Sequence, residues 1–410
     1  MPKETCLRNV GFIDRPQLVW WRRALFQVHL WVGIALGAYA VAIGVSGSAI
    51  VFADRISDDV QAAPRAVLAE KPLPLGRLVS IARSQDPGFT RPTQILANYP
   101  TQGLYVVQLA GTSTASRYVY LSGSGRVLGD VSDRAPNHAA VNWLTNLHVN
   151  LLGGDTGTLA NGIFGAGLAL LAFSGIVVWW PGRKNWRRAV TITVKSGTKR
   201  LFFDVHSTVG FWTFGLVAMF ALTGVALVFF QPWTNMLTRL FANGPVQPVA
   251  TTSSWAPGTP MKPLDRFVER ASALNPGLRW DFIDFPTLVG GALIVRLTQP
   301  NVPLRLARHA FVYFDPATAR VLERQGGGDG GVVDSINWYV VEGLHFGDYT
   351  VWSQCVWVII GLAPALLAIT SSVLWWNRLM RWRTTRAKRE SASARSLRAL
   401  LLGTLGEDWQ

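Results

Sequence analysis

Cysteine is nearly missing from this chain: of 410 residues only Cys6 and Cys355 carry a thiol. Cys6 lies near the terminus and Cys355 in the last apolar run, on opposite sides of the long outer segments, and they offer no disulfide framework. Charge is scarce as well, at 15% of residues, while 49% are hydrophobic and 18 are Trp. That balance excludes an ordinary soluble globular protein. Common catalytic signatures are lacking: there is no Walker loop, no His-Glu-x-x-His zinc motif and no nucleophile elbow. Gly123-Ser-Gly125-Arg-Val-Leu-Gly129 has the look of a dinucleotide loop, but its spacing is wrong and it falls between expected strands instead of opening a helix. The glycine-rich run 326–331 reads as a flexible link.

What the chain does have is four apolar stretches, residues 24–53, 161–180, 201–230 and 351–376. A bilayer core of about 30 Å is crossed by roughly 20 apolar helical residues, so each is expected to be a transmembrane helix. The first is longer than a signal-peptide core of roughly 7–15 residues. The third, interrupted near its start by Asp204 and His206, lies mid-chain and cannot be a signal. A net charge of +15 would suit a nucleic-acid binder, but its distribution argues against one. Residues 1–23, 181–204 and 377–410 hold 20 Lys and Arg against 6 acidic residues, whereas 54–160 and 231–350 hold 19 basic and 18 acidic. Basic excess at alternate helix ends follows the positive-inside rule. The N-terminus 1–23, the loop 181–200 and the basic tail 377–410 are therefore expected in the cytoplasm, with 54–160 and 231–350 outside. The lipid bilayer, not nucleic acid, is the expected partner.

The chain also repeats itself. Leu25-Phe-Gln-Val-His29-Leu-Trp-Val-Gly33 opens the first apolar run and Leu201-Phe-Phe-Asp-Val-His206-Ser-Thr-Val-Gly210 the third, with a glycine eighteen residues after each histidine, Gly47 and Gly224. Val141-Asn-Trp143 leads to Leu147-His148 before the second run, and Ile336-Asn-Trp338 to Leu344-His345 before the fourth. Both of those runs end in Trp-Trp. The outer connections match too. A short helix is expected at 75–84 and at 264–273, followed by strands at 103–109 and 117–121 in the first connection and at 291–297 and 309–314 in the second. Each group closes in a strand, a turn and a further strand. The expected fold is a membrane α-helical protein with four transmembrane helices, a pseudo-twofold internal repeat and two periplasmic α+β units. Gly162, Gly165 and Gly167 read as close helix packing, and Pro364 as a kink.

At these residues the sequence resembles the PepSY-associated transmembrane helix family, inner-membrane proteins that include haem-containing ferric-siderophore reductases. The resemblance covers roughly residues 20–385. It rests on the His-x-x-x-Gly openings, the Asn-Trp to Leu-His phrases and the turn Phe314-Asp315-Pro316-Ala317-Thr318. Ser122-Gly-Ser-Gly stands where the family turn of the first unit carries Asp-Pro, and Ala319 where glycine is usual. The resemblance implies two PepSY-like outer units, a place in the bacterial inner membrane, and reduction of ferric siderophores.

The histidines suit that chemistry. Imidazole is a common axial ligand of haem iron, and two of them fill both axial positions, which makes an electron-transfer centre. Without Cys-x-x-Cys-His a haem here would be b-type. His29 and His206, near the cytoplasmic starts of their helices, are expected to share one iron, and His148 and His345, on the outer side, a second. Gly33 and Gly210, one turn beyond His29 and His206, are expected to leave room for a flat macrocycle. His138 and His309 lack repeat partners and are expected in surface or core roles. Trp143 and Trp338 fit stacking near the outer centre and interfacial anchoring equally well. No catalytic or substrate-binding residue is assigned. The expected function is a di-haem b electron-transfer protein that reduces periplasmic ferric siderophore, taking electrons from a reduced flavin, a reductase or quinol. Alternatives are a di-haem quinol oxidoreductase with another acceptor, and a non-redox ferric-siderophore permease or PepSY regulatory protein.

Overall fold

A computed structural model describes residues 12–13, 16–53, 72–97, 103–111, 116–132, 136–194, 197–241, 252–302, 307–326, 331–347 and 350–406. In chain order the principal helices are α1 (Trp20–Ala35), α2 (Gly37–Ile50), α3 (Leu75–Arg83), α4 (Pro136–Asn150), α5 (Gly154–Trp179), α6 (Thr198–Val228), α7 (Phe230–Phe241), α8 (Leu264–Leu274), α9 (Val351–Gly361) and α10 (Ala363–Gly406). A π-helix at Ile336–Gly343 runs into a single helical turn, Leu344–Phe346.

Among the described residues three helices are long and apolar enough to cross a membrane: α5, α6, and the combined stretch Val351–Thr385 of α9 and α10. Their apolar windows are only 28% buried within the protein. Side chains such as Ile163, Leu170, Phe173, Ile359 and Ile369 are left exposed. A helix that is apolar all round and uncovered by protein is covered by lipid.

The expected arrangement of four transmembrane helices in a pseudo-twofold repeat with two separate outer units is overturned on two counts. First, the stretch expected as one helix over 24–53 is broken at Leu36, and α1 and α2 meet at a 61° bend. Among the described residues three helices therefore pass as spans, and a fourth only if the bent pair is counted as one. Gly33 and Gly37 flank the break and lack the side chains that would stiffen it. The Leu36 side chain fills the space over Gly167, where a Cβ would come within 2.6 Å of Leu36 Cδ1. Gly167 thus belongs to close packing, as expected. The break between α9 and α10 at Leu362 stands two residues before Pro364, whose ring removes a ladder hydrogen bond and crowds the carbonyl four residues back.

By internal contacts the chain divides into two units, residues 1–45, 164–221 and 359–410 in one and residues 46–163 and 222–358 in the other. The first is helical. Its interior gathers Leu168, Ala169 and Ala221, with Tyr39 and Leu171 against them, and the two alanines leave little between neighbouring backbones.

The second unit carries the other correction. Strands β1 (Phe89–Ala97), β2 (Leu104–Gly111), β3 (Ser116–Ser122), β4 (Val127–Ser132), β5 (Arg279–Asp284), β6 (Leu293–Thr298), β7 (His309–Phe314) and β8 (Val321–Gly326) form one antiparallel sheet in the order β4-β3-β2-β1-β5-β6-β7-β8. The two expected α+β units are fused through β1 and β5, which pair at Gln94↔Asp284, Ile95↔Ile283 and Leu96↔Phe282. Neither strand was expected, since β1 holds Arg91 and Pro92 and β5 alternates charge with aromatics. Alone, each would present a row of unpaired backbone groups, and pairing satisfies both rows at once.

Helices α3 and α8 pack on the sheet. Leu78, Val79 and Ala82 of α3 and Phe267 and Ala271 of α8 share one core with Ile95, Val107, Leu121, Ile283, Val295 and Phe314. Pro74 at the start of α3 offers no side-chain cap. The Asp265 carboxylate of α8 accepts the Leu75 N–H instead, at 3.2 Å from each oxygen. The turn after β7 is fastened by Asp315, whose Oδ1 accepts from the N–H groups of Ala317 and Thr318 at 3.0 Å. Its Oδ2 accepts from the Ser254 N–H at 2.8 Å and the Ser254 hydroxyl at 2.7 Å. Burial alone would raise the pKa of this carboxyl, but the hydrogen bonds from Ser254 and Thr318 outweigh it and hold it well below the usual carboxylate range. In the β3–β4 turn Ser122 Oγ does a reduced version of the same work, accepting the Arg126 N–H at 3.1 Å.

A single sheet makes a prediction that two units do not. The amides of residues 94–96 and 282–284 should exchange with deuterium as slowly as those of β2 and β6. Exchange at edge-strand rates would contradict the fusion.

Candidate metal centres

Each unit contains one pair of the repeat-related histidines. In the helical unit His29 lies on α1 and His206 on α6, within electrostatic reach of one another. His29 Nδ1 is 2.9 Å from Ser174 Oγ on α5. His206 Nδ1 is 3.0 Å from Thr370 Oγ1 and 3.2 Å from the Leu367 carbonyl, both on α10.

In the sheet-bearing unit, His148 stands near the end of α4 and His345 in the turn after the π-helix. Their ring centroids are 6.2 Å apart and their planes inclined at 51°. His148 Nδ1 lies 3.3 Å from Ser46 Oγ on α2, and His345 Nδ1 lies 2.9 Å from Thr223 Oγ1 on α6. Burial, reinforced by the nearby His148, pushes the pKa of His345 down to about 4. It is neutral at physiological pH, the form that binds a metal.

All four imidazoles are thus tethered at Nδ1 to a hydroxyl on another helix, and Ser46, Ser174, Thr223 and Thr370 are all buried. A metal ligated by these histidines would be reached through Nε2. Metal–imidazole bonds of about 2.0–2.1 Å, with a ring centre roughly 1.1 Å behind each nitrogen, put two trans imidazoles about 6.2–6.4 Å apart, centre to centre. The 6.2 Å separation of His148 and His345 fits that arrangement. Among the described residues no group of three or more His, Cys, Asp or Glu is placed to hold a bare metal ion. Two histidines per centre suit an iron whose other four positions are filled by a macrocycle.

Glycines stand against the imidazoles. A Cβ on Gly47 would lie 2.6 Å from His148 Cε1, one on Gly175 3.1 Å from His29 Cε1, and one on Gly224 3.4 Å from His345 Cε1. At Gly33 and Gly210 a Cβ would meet only Leu171 Cδ2 and Leu367 Cδ2, each at 3.7 Å. Three of the four hydroxyl residues come directly before an imidazole-facing glycine, as Ser46-Gly47, Ser174-Gly175 and Thr223-Gly224. Spacing had marked Gly47 and Gly224, but the hydroxyls were missed. The signal for them was present, since a Ser-Gly or Thr-Gly pair inside an apolar run must find a hydrogen-bond partner.

The segments that carry the outer histidines are themselves fastened. Asn161 Nδ2 on α5 donates to the His148 carbonyl at 2.8 Å and the Val149 carbonyl at 2.9 Å. Asn337 on the π-helix accepts from Trp233 Nε1 at 2.9 Å and donates to Thr234 Oγ1 at 3.0 Å, tying that helix to α7. Trp338 is buried and its ring centroid lies 3.5 Å from that of His309, whereas Trp143 is exposed. The His138 side chain lies outside the described residues.

The molecule is therefore a membrane protein in which spanning helices and an eight-stranded antiparallel sheet accompany two paired-histidine sites. Residues 26–378 match the family model of the PepSY-associated TM region, and the chain belongs to that family. No curated protein matches the chain.

Glycine contacts make the sites testable without any ligand. Replacing a helical glycine by alanine gains about 1 kcal/mol of helix propensity, but at Gly47 the new methyl collides with the His148 ring. Gly47→Ala is expected to lower the melting temperature of detergent-purified protein by roughly 2–4 °C. Gly224→Ala should leave it unchanged or raise it. Equal effects at the two positions would contradict the described packing.

Proposed function

We propose that this protein is a haem-dependent oxidoreductase of the bacterial inner membrane that delivers single electrons to ferric siderophores on the outer side. On this reading His29 and His206 hold one b-type haem, and His148 and His345 hold the other. The observation that carries the proposal is the geometry of the outer pair, two imidazoles 6.2 Å apart, each tethered through Nδ1 to a buried hydroxyl. A haem held by these residues would supply a reversible one-electron iron couple.

The chain's own residues do the rest. Two imidazoles at one iron would leave oxygen and substrate no place on it, which favours outer-sphere transfer. This suits a bulky chelate that never has to touch the iron. The hydroxyls of Ser46 and Thr223 fix the outer imidazole planes, and Gly47 and Gly224 let the rings sit close to the helix backbone. In the transfer, one electron converts chelated Fe(III) to Fe(II), the siderophore is unchanged, and the weaker hold of hydroxamate or catecholate oxygens on Fe(II) releases the ion. The donor is a quinol, a reduced flavin or a separate reductase. On this reading both termini are cytoplasmic, which the basic excess in residues 1–23, 181–204 and 377–410 supports.

The test is a stopped-flow experiment on dithionite-reduced protein in detergent, mixed with a panel of hydroxamate and catecholate ferric siderophores and a colorimetric Fe(II) chelator. Reoxidation coupled to trapped Fe(II) is expected with at least one of them, and His148→Ala or His345→Ala should abolish it. His29→Ala and His206→Ala should lose the same spectral component, distinct from the one lost in the outer pair. Reoxidation by quinone with no response to any ferric chelate would favour a quinol oxidoreductase instead.

A further inference from the structure

Ser174 and Thr370 each have a single hydroxyl proton, and in both residues a carbonyl of the same helix lies within reach to accept it. Ser174 Oγ donates to the Leu171 carbonyl at 3.2 Å. Thr370 Oγ1 donates to the Leu366 carbonyl at 2.8 Å, with that of Leu367 at 3.1 Å. Bonding back to a carbonyl three or four residues earlier is the ordinary habit of Ser and Thr inside apolar helices. With its proton committed, each hydroxyl oxygen can only accept from the imidazole beside it.

The backbone gives the same answer independently. The Leu367 carbonyl lies 3.2 Å from His206 Nδ1, and the Leu171 carbonyl faces the His29 imidazole. Each carbonyl belongs to the residue three before the hydroxyl, so one helical turn presents two acceptors to one ring nitrogen. A carbonyl never donates. Nδ1 must therefore carry the proton in both histidines. A second proton on Nε2 would make an imidazolium inside the apolar helices, which is costly.

We infer that Ser174 and Thr370 are positioning residues that hold His29 and His206 as Nδ1–H tautomers and so set the strength and orientation of their Nε2 bonds to a shared haem iron. The inference rests on the haem reading given above. It adds that a neutral acceptor pair, hydroxyl plus carbonyl, leaves each ligand a neutral imidazole. A carboxylate in the same place would pull the Nδ1 proton away and favour ferric iron.

The variants are Ser174→Ala and Thr370→Val, with Ser174→Thr and Thr370→Ser as rescues, each checked for a monodisperse, helical protein. Haem transfer to excess apomyoglobin and low-temperature EPR of the ferric protein are the readouts. Removing a ligand's outer partner typically weakens metal binding 10- to 100-fold. Both hydroxyl-deleting variants are expected to release the inner haem at least about tenfold more readily and to shift its EPR g-values, with the outer haem unchanged. Both rescues should restore the wild-type values. Wild-type retention and spectrum in Ser174→Ala and Thr370→Val would overturn the inference alone, as would a Thr370→Ser protein that behaves like Thr370→Val. A wild-type protein that binds no haem would overturn it together with the proposed function.

Discussion

An imidazole placed in an apolar helix needs a hydrogen-bond partner, and the other features of both sites depend on how that need is met. Leaving a buried polar group unpaired costs about 1–3 kcal/mol, and here each partner is a hydroxyl on a different segment. His29 reaches Ser174, His206 reaches Thr370, His148 reaches Ser46 and His345 reaches Thr223. Every such bond fixes the rotation of one helix against another. It also spends Nδ1, so that any metal chemistry falls to Nε2. Glycines at 47, 175 and 224 are the steric counterpart: a methyl group would collide with the ring at Gly47, press on it at Gly175 and only touch it at Gly224.

In the sheet-bearing unit the same need is served from the edges of the sheet. Edge strand β4 ends at Ser132 and α4, with His148, begins at Pro136; edge strand β8 ends at Gly326 and the helical segment leading to His345 begins at Val332. Fusion through β1 and β5 makes these two exits opposite edges of one rigid sheet. The segments that leave those edges are fastened by the Asn161 and Asn337 side-chain bonds, and the two outer imidazoles they carry lie 6.2 Å apart. The π-helix contributes too, because its wider turn is an arrangement that proteins often keep at functional sites.

Much of this was readable from the sequence, and the failures have physical causes. Apolar runs announced the spans of α5, α6 and α9–α10, because burial in lipid demands nothing but length and hydropathy. The four repeat-related histidines and the Asp315 turn were visible for the same reason, each being a short local pattern. The bend at Leu36 was not, since it depends on how that leucine settles over Gly167, far along the chain. Strands β1 and β5 were missed because their sequences are locally poor, with Arg91 and Pro92 in one and charges at alternate positions in the other. They become strands by pairing with each other across almost 190 residues of sequence. The hydroxyl partners of the histidines depend on helix rotation, which the bare sequence does not display.

The central claim is that two histidine pairs each hold one haem iron between trans imidazoles. The most direct measurement is a pyridine haemochrome assay combined with EPR on protein purified in detergent from cells supplied with a haem precursor. The account predicts two b-type haems per chain, both low-spin with bis-imidazole g-values. A single haem, a high-spin signal from an open axial position, or protein free of haem would contradict it.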